Sequence, residues 1–216
     1  MHVFDEEAEE FETELSRDGT YVRLGLGDGT EVEARLPLLG RAQALNAAVA
    51  AWTALGLLRA GYWTLTPGDH AGDVIRTGLE ATRLPGRMQV LSRAPWVVLD
   101  GAHTEESVRL LVRSWQELFG VGGTLVFGAF QGKAVGPMAA LLAPVFDRIL
   151  VTAPGTFRPS NPVALRQAFL DVADGPRNVE IAPDPATAVA WARADGPVLV
   201  CGSFYLVGEV LRHFRP

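Results

Sequence analysis

Trp96-Val97-Val98-Leu99-Asp100-Gly101-Ala102-His103-Thr104 decides how the rest of the chain is read. Three aliphatic residues lead into an acid, and a glycine, an alanine and a histidine follow. The pattern predicts a buried strand that ends in a carboxylate at its C-terminal edge, with a helix starting at once. In open α/β sheets that edge is where ligands bind. From Glu105 to Phe119, Val108, Leu111, Val112, Trp115, Leu118 and Phe119 recur at spacings of three and four, which predicts a helix with one apolar face. Thr104 is placed to cap it, Glu105 and Glu106 suit the positive end of its dipole, and Gly120 stops it.

Downstream the chain alternates. Candidate strands are Met88–Leu91, Trp96–Leu99, Thr124–Phe127, Arg148–Thr152, Val179–Ala182 and Val198–Cys201. Candidate helices are Glu105–Phe119, Val135–Pro144, Pro162–Val172, Pro185–Arg193 and Phe204–His213. Such alternation predicts an α/β fold: a mostly parallel, Rossmann-like sheet with helices on both faces. The pattern changes at Pro85-Gly86, so we expect one domain over 1–84 and another over 85–216.

Upstream, Thr20–Leu26 and Glu31–Leu36 alternate apolar and polar about Gly27-Asp28-Gly29, which predicts a β-hairpin. The Gly25-x-Gly27-x-Gly29 spacing sits in that turn and not between a strand and a helix, so it is no dinucleotide loop. Gly40 to Gly61 reads as a buried, alanine-rich helix, in which Asn46 must find a polar partner. Thr66-Pro67-Gly68 is a turn, and a short helix over Asp69–Glu80 points Val74, Ile75 and Leu79 inward. The acidic run Asp5–Glu14, with Phe4 and Phe11 interspersed, reads as a solvated or frayed segment.

Composition bounds the function. The 216 residues are 48% hydrophobic, enough for one good core and a second small unit. A net charge of -6 and a pI near 5.2 argue against a nucleic-acid partner. No run is long and apolar enough to span a membrane, and the acidic start is not a signal peptide. Cys201 is the lone cysteine, which excludes an internal disulfide and fits the cytoplasm. Lys133 is the single lysine among nineteen basic side chains, so any lysine chemistry belongs to it.

Asp100-Gly101-Ala102-His103 resembles the Asp-Gly-Ala-His-Asn-Pro segment of folylpolyglutamate synthase/dihydrofolate synthase enzymes, members of the Mur ligase superfamily; here Thr104 and Glu105 replace Asn-Pro. Three further places are similar in the same order. Gly40-Arg41-Ala42-Gln43-Ala44-Leu45-Asn46-Ala47 resembles a Gly-x-His-Gln-x-x-Asn-Ala helix start, with Ala42 in place of histidine. Pro85-Gly86-Arg87 resembles the junction of the ATPase and C-terminal domains, and Val200 to Glu209 the closing strand-to-helix signature. Phe127–Lys133 resembles an Asp-Lys-Asp loop in which Gly132 and Ala134 replace the acids.

The resemblance implies an ATP-dependent ligase that joins glutamate to a folate through an acyl phosphate, in one-carbon metabolism, with ATP and magnesium as cofactors. It implies that Asn46 reads adenine, Arg87 contacts phosphate, Asp100 holds ribose hydroxyls, His103 approaches the transferring phosphate or the glutamate, and Lys133 adds positive charge there. The residue types alone leave other readings open: Arg87 paired with a surface acid, His103 as a capping or core histidine, Asp100 as a helix cap, Lys133 as a solvated loop lysine. The family's Gly-Lys-Ser or Gly-Lys-Thr phosphate loop does not occur in these residues, and its magnesium-holding acids belong to the same part. The expectation is therefore the tail of a Mur-ligase central ATPase domain over 1–84 and a C-terminal domain over 85–216, inactive alone, partnered by the missing ATPase domain or by a second copy. The alternative is a non-catalytic homologue that binds a nucleotide, a metabolite or a protein.

Overall fold

The computed structural model describes residues 11–27, 29–155, 158–173, 175 and 178–214. The chain divides into two compact units, Met1–Leu84 and Pro85–Pro216. In the first, β1 (Phe11–Ser16), β2 (Gly19–Gly25) and β3 (Glu31–Leu36) form an antiparallel sheet in that order. The register sets Val22 opposite Ala34 and Leu24 opposite Val32. Strand alternation puts these four on one face, where they pack with Ala44, Ala47, Ala48, Ala51 and Leu55 of α1 (Arg41–Arg59) and with Ile75 and Leu79 of α2 (Ala71–Ala81). The other face is polar: Arg23 lies 3.4 Å from Glu31 and 3.5 Å from Glu33.

One expectation is extended here and three need correction. The hairpin is two strands of a three-stranded sheet. Within the acidic run, residues 11–14 are not frayed but begin β1, because Phe11 and Thr13 alternate with Glu12 and Glu14 and send the acids outward; residues 1–10 lie outside the described residues. Asn46 is exposed, and Val74 is 43% exposed. The polar side chain buried in α1 is Gln43, whose Oε1 accepts from Asn46 Nδ2 at 3.2 Å. At about 100° per residue, Asn46 and Val74 stand off the inward stripes that Ala47 and Ile75 occupy.

The second unit is a six-stranded sheet in the order β4-β5-β9-β6-β7-β8. Its elements are β4 (Gln89–Arg93), β5 (Trp96–Leu99), α3 (Glu105–Phe119), β6 (Thr124–Phe127), α4 (Val135–Leu142), β7 (Arg148–Val151), α5 (Pro162–Leu170), β8 (Val179–Ile181), α6 (Pro185–Ala192), β9 (Val198–Cys201) and α7 (Phe204–His213). β5, β9, β6, β7 and β8 run parallel, and β4 is an antiparallel edge. Val97, Leu99, Val126, Leu150, Val198 and Val200 share one face with Ala188, Val189, Leu206, Val207 and Val210 of α6 and α7. Alternation turns Val98, Leu125, Phe127 and Ile149 to the opposite face. There Phe127 meets Phe169 of α5 edge to face at 5.2 Å, and buried Trp115 of α3 lies 5.3 Å from Phe146.

This topology positions the site. After β5 the chain leaves into α3, on one face; after the neighbouring β9 it leaves into α7, on the other. Loops that part to opposite faces open a crevice at the C-terminal ends of the strands between them. α3 is anchored there by a reciprocal cap: Thr104 Oγ1 accepts from Ser107 N at 3.3 Å and Ser107 Oγ accepts from Thr104 N at 3.1 Å. Thr104→Ala is expected to cost about 0.5–2 kcal/mol, read as a lower urea midpoint at unchanged slope. Among the described residues no helix is long and apolar enough to cross a membrane.

Candidate functional site

The loops at the C-terminal edge are tied to one another by backbone bonds. Gly101 N donates to Gly86 O at 2.8 Å, Gly202 N to Ala102 O at 2.9 Å, Gly128 N to Cys201 O at 3.2 Å and Gln131 N to Pro159 O at 3.0 Å. Ser160 Oγ adds a bond to Ala129 O at 2.9 Å. The 85–88 turn and the loops after β5, β9, β6 and β7 therefore form one continuous rim.

Asp100 fastens the first part of that rim. Its Oδ2 accepts from Met88 N at 2.8 Å and its Oδ1 from Ala102 N at 2.7 Å. The residue is buried, and burial raises its pKa above the ordinary carboxylate value; the two amides and the Arg87 guanidinium pull the other way. Two acceptor positions of the carboxylate are taken, and a carboxylate has about four. The bond to Met88 also holds that residue at φ 41, a left-handed conformation that is unusual for a side chain of its size.

Arg87 stands next to this brace. Its Cζ lies 4.5 Å above the centroid of the Phe204 ring. His103 approaches the same ring edge to face, with centroids 6.2 Å apart at 66°. His103 Nδ1 is 2.9 Å from Gly101 O. A carbonyl can only accept, so Nδ1 carries the proton and Nε2 is left as an acceptor in the neutral ring. The structure thus brings Arg87, Asp100 and His103 together. Lys133 is exposed on the β6–α4 loop of the same rim, and Asn46 lies on the exposed side of α1 in the other unit. Cys201, at the end of β9, is buried, and burial followed by the Asp100 charge pushes its thiol well above its usual value, so it is an inert neutral group.

Phe204 and Tyr205 were not among the residues singled out from the sequence, although they sit inside the closing signature. Both are large and partly exposed in the first turn of α7, and Tyr205 meets Phe130 edge to face at 5.1 Å. The signal that could have found Phe204 is the pair Gly86 and Gly101, which leave room for a ring. A concavity of about 630 Å³ between β3 and α2 is lined by Glu31, Glu33, His70, Asp73 and Arg76. Its acids are already paired, Glu31 and Glu33 with Arg23 and Asp73 with Arg76, so the rim of the second unit is the better candidate. Among the described residues, no group of three or more His, Cys, Asp and Glu side chains could hold a metal ion. The rim instead offers a guanidinium stacked on an aromatic ring, an imidazole held through Nδ1 and an exposed aromatic surface; the guanidinium suits an anionic group and the ring a planar one.

Comparison with known proteins agrees with the fold. Residues 86–204 match the family described as Mur ligase, glutamate ligase domain. The chain is similar to the folylpolyglutamate synthase of Lacticaseibacillus casei, with 31% identity over 184 residues that cover 85% of this chain and 41% of that protein. A solved structure of Mycobacterium tuberculosis folylpolyglutamate synthase, complexed with ADP and AMPPCP, superposes with a TM-score of 0.81 at 25% identity, covering 96% of this chain and 48% of the other. The bifunctional folylpolyglutamate synthase/dihydrofolate synthase of Yersinia pestis, complexed with AMPPNP and a Mn ion, gives a TM-score of 0.69 at 25% identity, covering 96% and 46%. The chain spans less than half the length of each of these relatives.

Proposed function

Since the chain belongs to the Mur ligase, glutamate ligase domain family, we propose that it is the C-terminal part of an ATP-dependent ligase that adds glutamate to a folate through an acyl phosphate. In this reading the phosphate cradle and the magnesium ligands come from a P-loop half outside these residues, and the chain alone does not ligate. The second unit is the C-terminal domain, and the first is the tail of a central ATPase domain. The reaction is a cytoplasmic one. The observation that carries the reading is the convergence of Arg87, Asp100 and His103 at the ends of β5 and β9, where the connections part to opposite faces.

Bound ATP supplies the phosphoryl group that activates the folate carboxylate. This chain's residues grip and orient. Arg87 presents a guanidinium fork to a phosphate oxygen. Asp100 keeps that fork in place through the 85–88 turn, with acceptor positions left for ribose hydroxyls. His103 offers Nε2 to a proton on the glutamate amine or on a hydroxyl. Lys133 adds charge for an incoming carboxylate, and the Asn46 amide is available to adenine. No step is assigned to a metal by these residues.

The need for a second half has separate support in α1. From Ala42 to Leu58 that helix carries no charged residue, and Val49 on its outer side is 56% exposed. The occupant we propose for this face is the P-loop half, the portion of the relatives that the chain does not span. Mixing the full chain with the separately produced P-loop half of a folylpolyglutamate synthase tests the reading. Glutamate-dependent ADP release is expected in the mixture and in neither half alone. Release by the chain alone, free of contaminants, would overturn it. Val49→Asp is expected to weaken the pairing at least ~10-fold, since a charge is stranded in a dry interface, without lowering the melting temperature of the isolated chain. A mixture of well-folded halves that stays inactive would favour the second reading, a non-catalytic homologue; the substitutions at Ala42, Thr104, Glu105, Gly132 and Ala134 point that way.

A further inference from the structure

We propose that Phe204 is a positioning residue, a ring wedged between two glycines that fixes the Arg87 guanidinium and the His103 imidazole relative to each other. The inference rests on the functional reading above for what the two groups then do, but its geometry stands apart from that reading.

The slot is built into the chain. A Cβ added to Gly101 would lie 2.2 Å from Phe204 Cε1 and 2.3 Å from its Cζ, so the ring occupies the space that any other residue at 101 would fill. A Cβ at Gly86 would lie 3.3 Å from the same Cε1, and Gly86 itself stands at φ +70. Gly101 N is bonded to Gly86 O, so the two walls of the slot are tied together. On the α7 side, Ser203 Oγ accepts from Tyr205 N at 3.1 Å and caps the helix whose first residue is Phe204. The ring is held at its root and along its edge.

A purely structural role does not explain its surroundings. Phe204 is 40% exposed, whereas Leu206, Val207 and Val210 of the same helix bury their side chains in the core. What the exposed part of the ring meets is Arg87 above its face and His103 at its edge. Arginine has a long, mobile stem, and a guanidinium stacked on an aromatic face is turned so that its N–H edges point outward. His103 is fixed on its other side by the bond from Nδ1 to Gly101 O, which leaves Nε2 outward. The ring thus sets a guanidinium and an imidazole side by side before any ligand arrives, which lowers the ordering cost of binding: Arg87 can donate to an anionic oxygen, and His103 Nε2 can accept from a hydroxyl or amine.

The test uses the full chain and four forms of it: wild type, Phe204→Leu, Phe204→Met and Phe204→Tyr. Thermal melting first establishes that each variant folds; the methionine variant, which keeps the length of the side chain, serves if leucine does not. The spectroscopic readout is the Arg87 Nε–H resonance together with the His103 ring protons. In wild type and in Phe204→Tyr both are expected to carry ring-current shifts; in Phe204→Leu and Phe204→Met they are expected to move to the values of solvated side chains. ADP is the binding probe, and we expect ~10-fold weaker affinity in the leucine and methionine variants, with tyrosine restoring it. Unchanged resonances in the leucine or methionine variant, or unchanged ADP affinity in a wild type that binds it, would overturn the proposal, as would failure of tyrosine to rescue. If the wild-type chain binds no ADP while the resonances respond as described, the positioning role holds, and what fails is nucleotide binding by these residues without the P-loop half.

Discussion

Asp100→Ala is expected to destabilise the second unit by about 2–4 kcal/mol at neutral pH and to release the 85–88 turn. The substitution orphans two buried amides, those of Met88 and Ala102. Each orphaned donor costs about 1–3 kcal/mol, and relief of the carboxylate's desolvation offsets part of the sum. Met88 stands at φ 41 with its amide bonded to Asp100, and the substitution removes that bond. Urea unfolding measures the stability, and faster amide exchange at Met88 and Gly101 reports the turn. The titration of Asp100 gives a second reading. Burial raises its pKa, so the native state holds the proton more tightly than the unfolded chain does. Its contribution is fully present below about pH 4, the unfolded value, and is lost as pH rises through the raised native value. Asp100→Asn has no proton to lose, so its stability is expected to lack that decline. A wild-type curve parallel to that of the asparagine variant from pH 3 to 7, in a series about one unit apart, would contradict it.

Gly101→Ala carries the other large effect. A methyl group 2.2 Å from Phe204 Cε1 cannot coexist with the ring where it stands. The ring must swing out and take the stack under Arg87 with it, and overpacking of this kind costs about 1–3 kcal/mol. Because the clash is with one side chain, Gly101→Ala is expected to cost less on a Phe204→Leu background than on the wild type. That non-additivity is the sign of two residues in direct contact. Simple additivity would place the cost in the backbone at Gly101 and would weaken the case for a built slot.

Where the chain repeats strongly, its structure was legible in one dimension. Trp96–Leu99, Thr124–Phe127 and Val198–Cys201 are strands, and Glu105–Phe119 and Phe204–His213 helices, at the residues expected. Continuous apolar runs bounded by turn residues, and helices with one apolar stripe, leave little competition. β1 was hidden because it continues the acidic run before it and its period of two is carried by few residues. Asn46 and Gln43 are three residues apart on one helix, and composition alone could not say which faced inward. The insertion of β9 between β5 and β6 is a three-dimensional fact that sequence order conceals, yet it creates the parting of connections that marks the site.

The candidate site was legible in part. Arg87, Asp100 and His103 were singled out by the resemblance, and the fold brings them together. That Asp100 spends an acceptor on each of two backbone amides follows only from the fold of the 85–88 turn back onto the end of β5. Phe204 was invisible as a functional residue because its partners come from two segments about a hundred residues earlier in the chain.

Nuclear magnetic resonance of the full chain during titration with ADP tests the central claim most directly, by locating contact without requiring turnover. The account predicts that the resonances of Arg87, His103 and Phe204 move first, with Lys133 on the same rim among those that follow. Perturbations confined to the concavity between β3 and α2, or none at the rim while other surfaces respond, would contradict it.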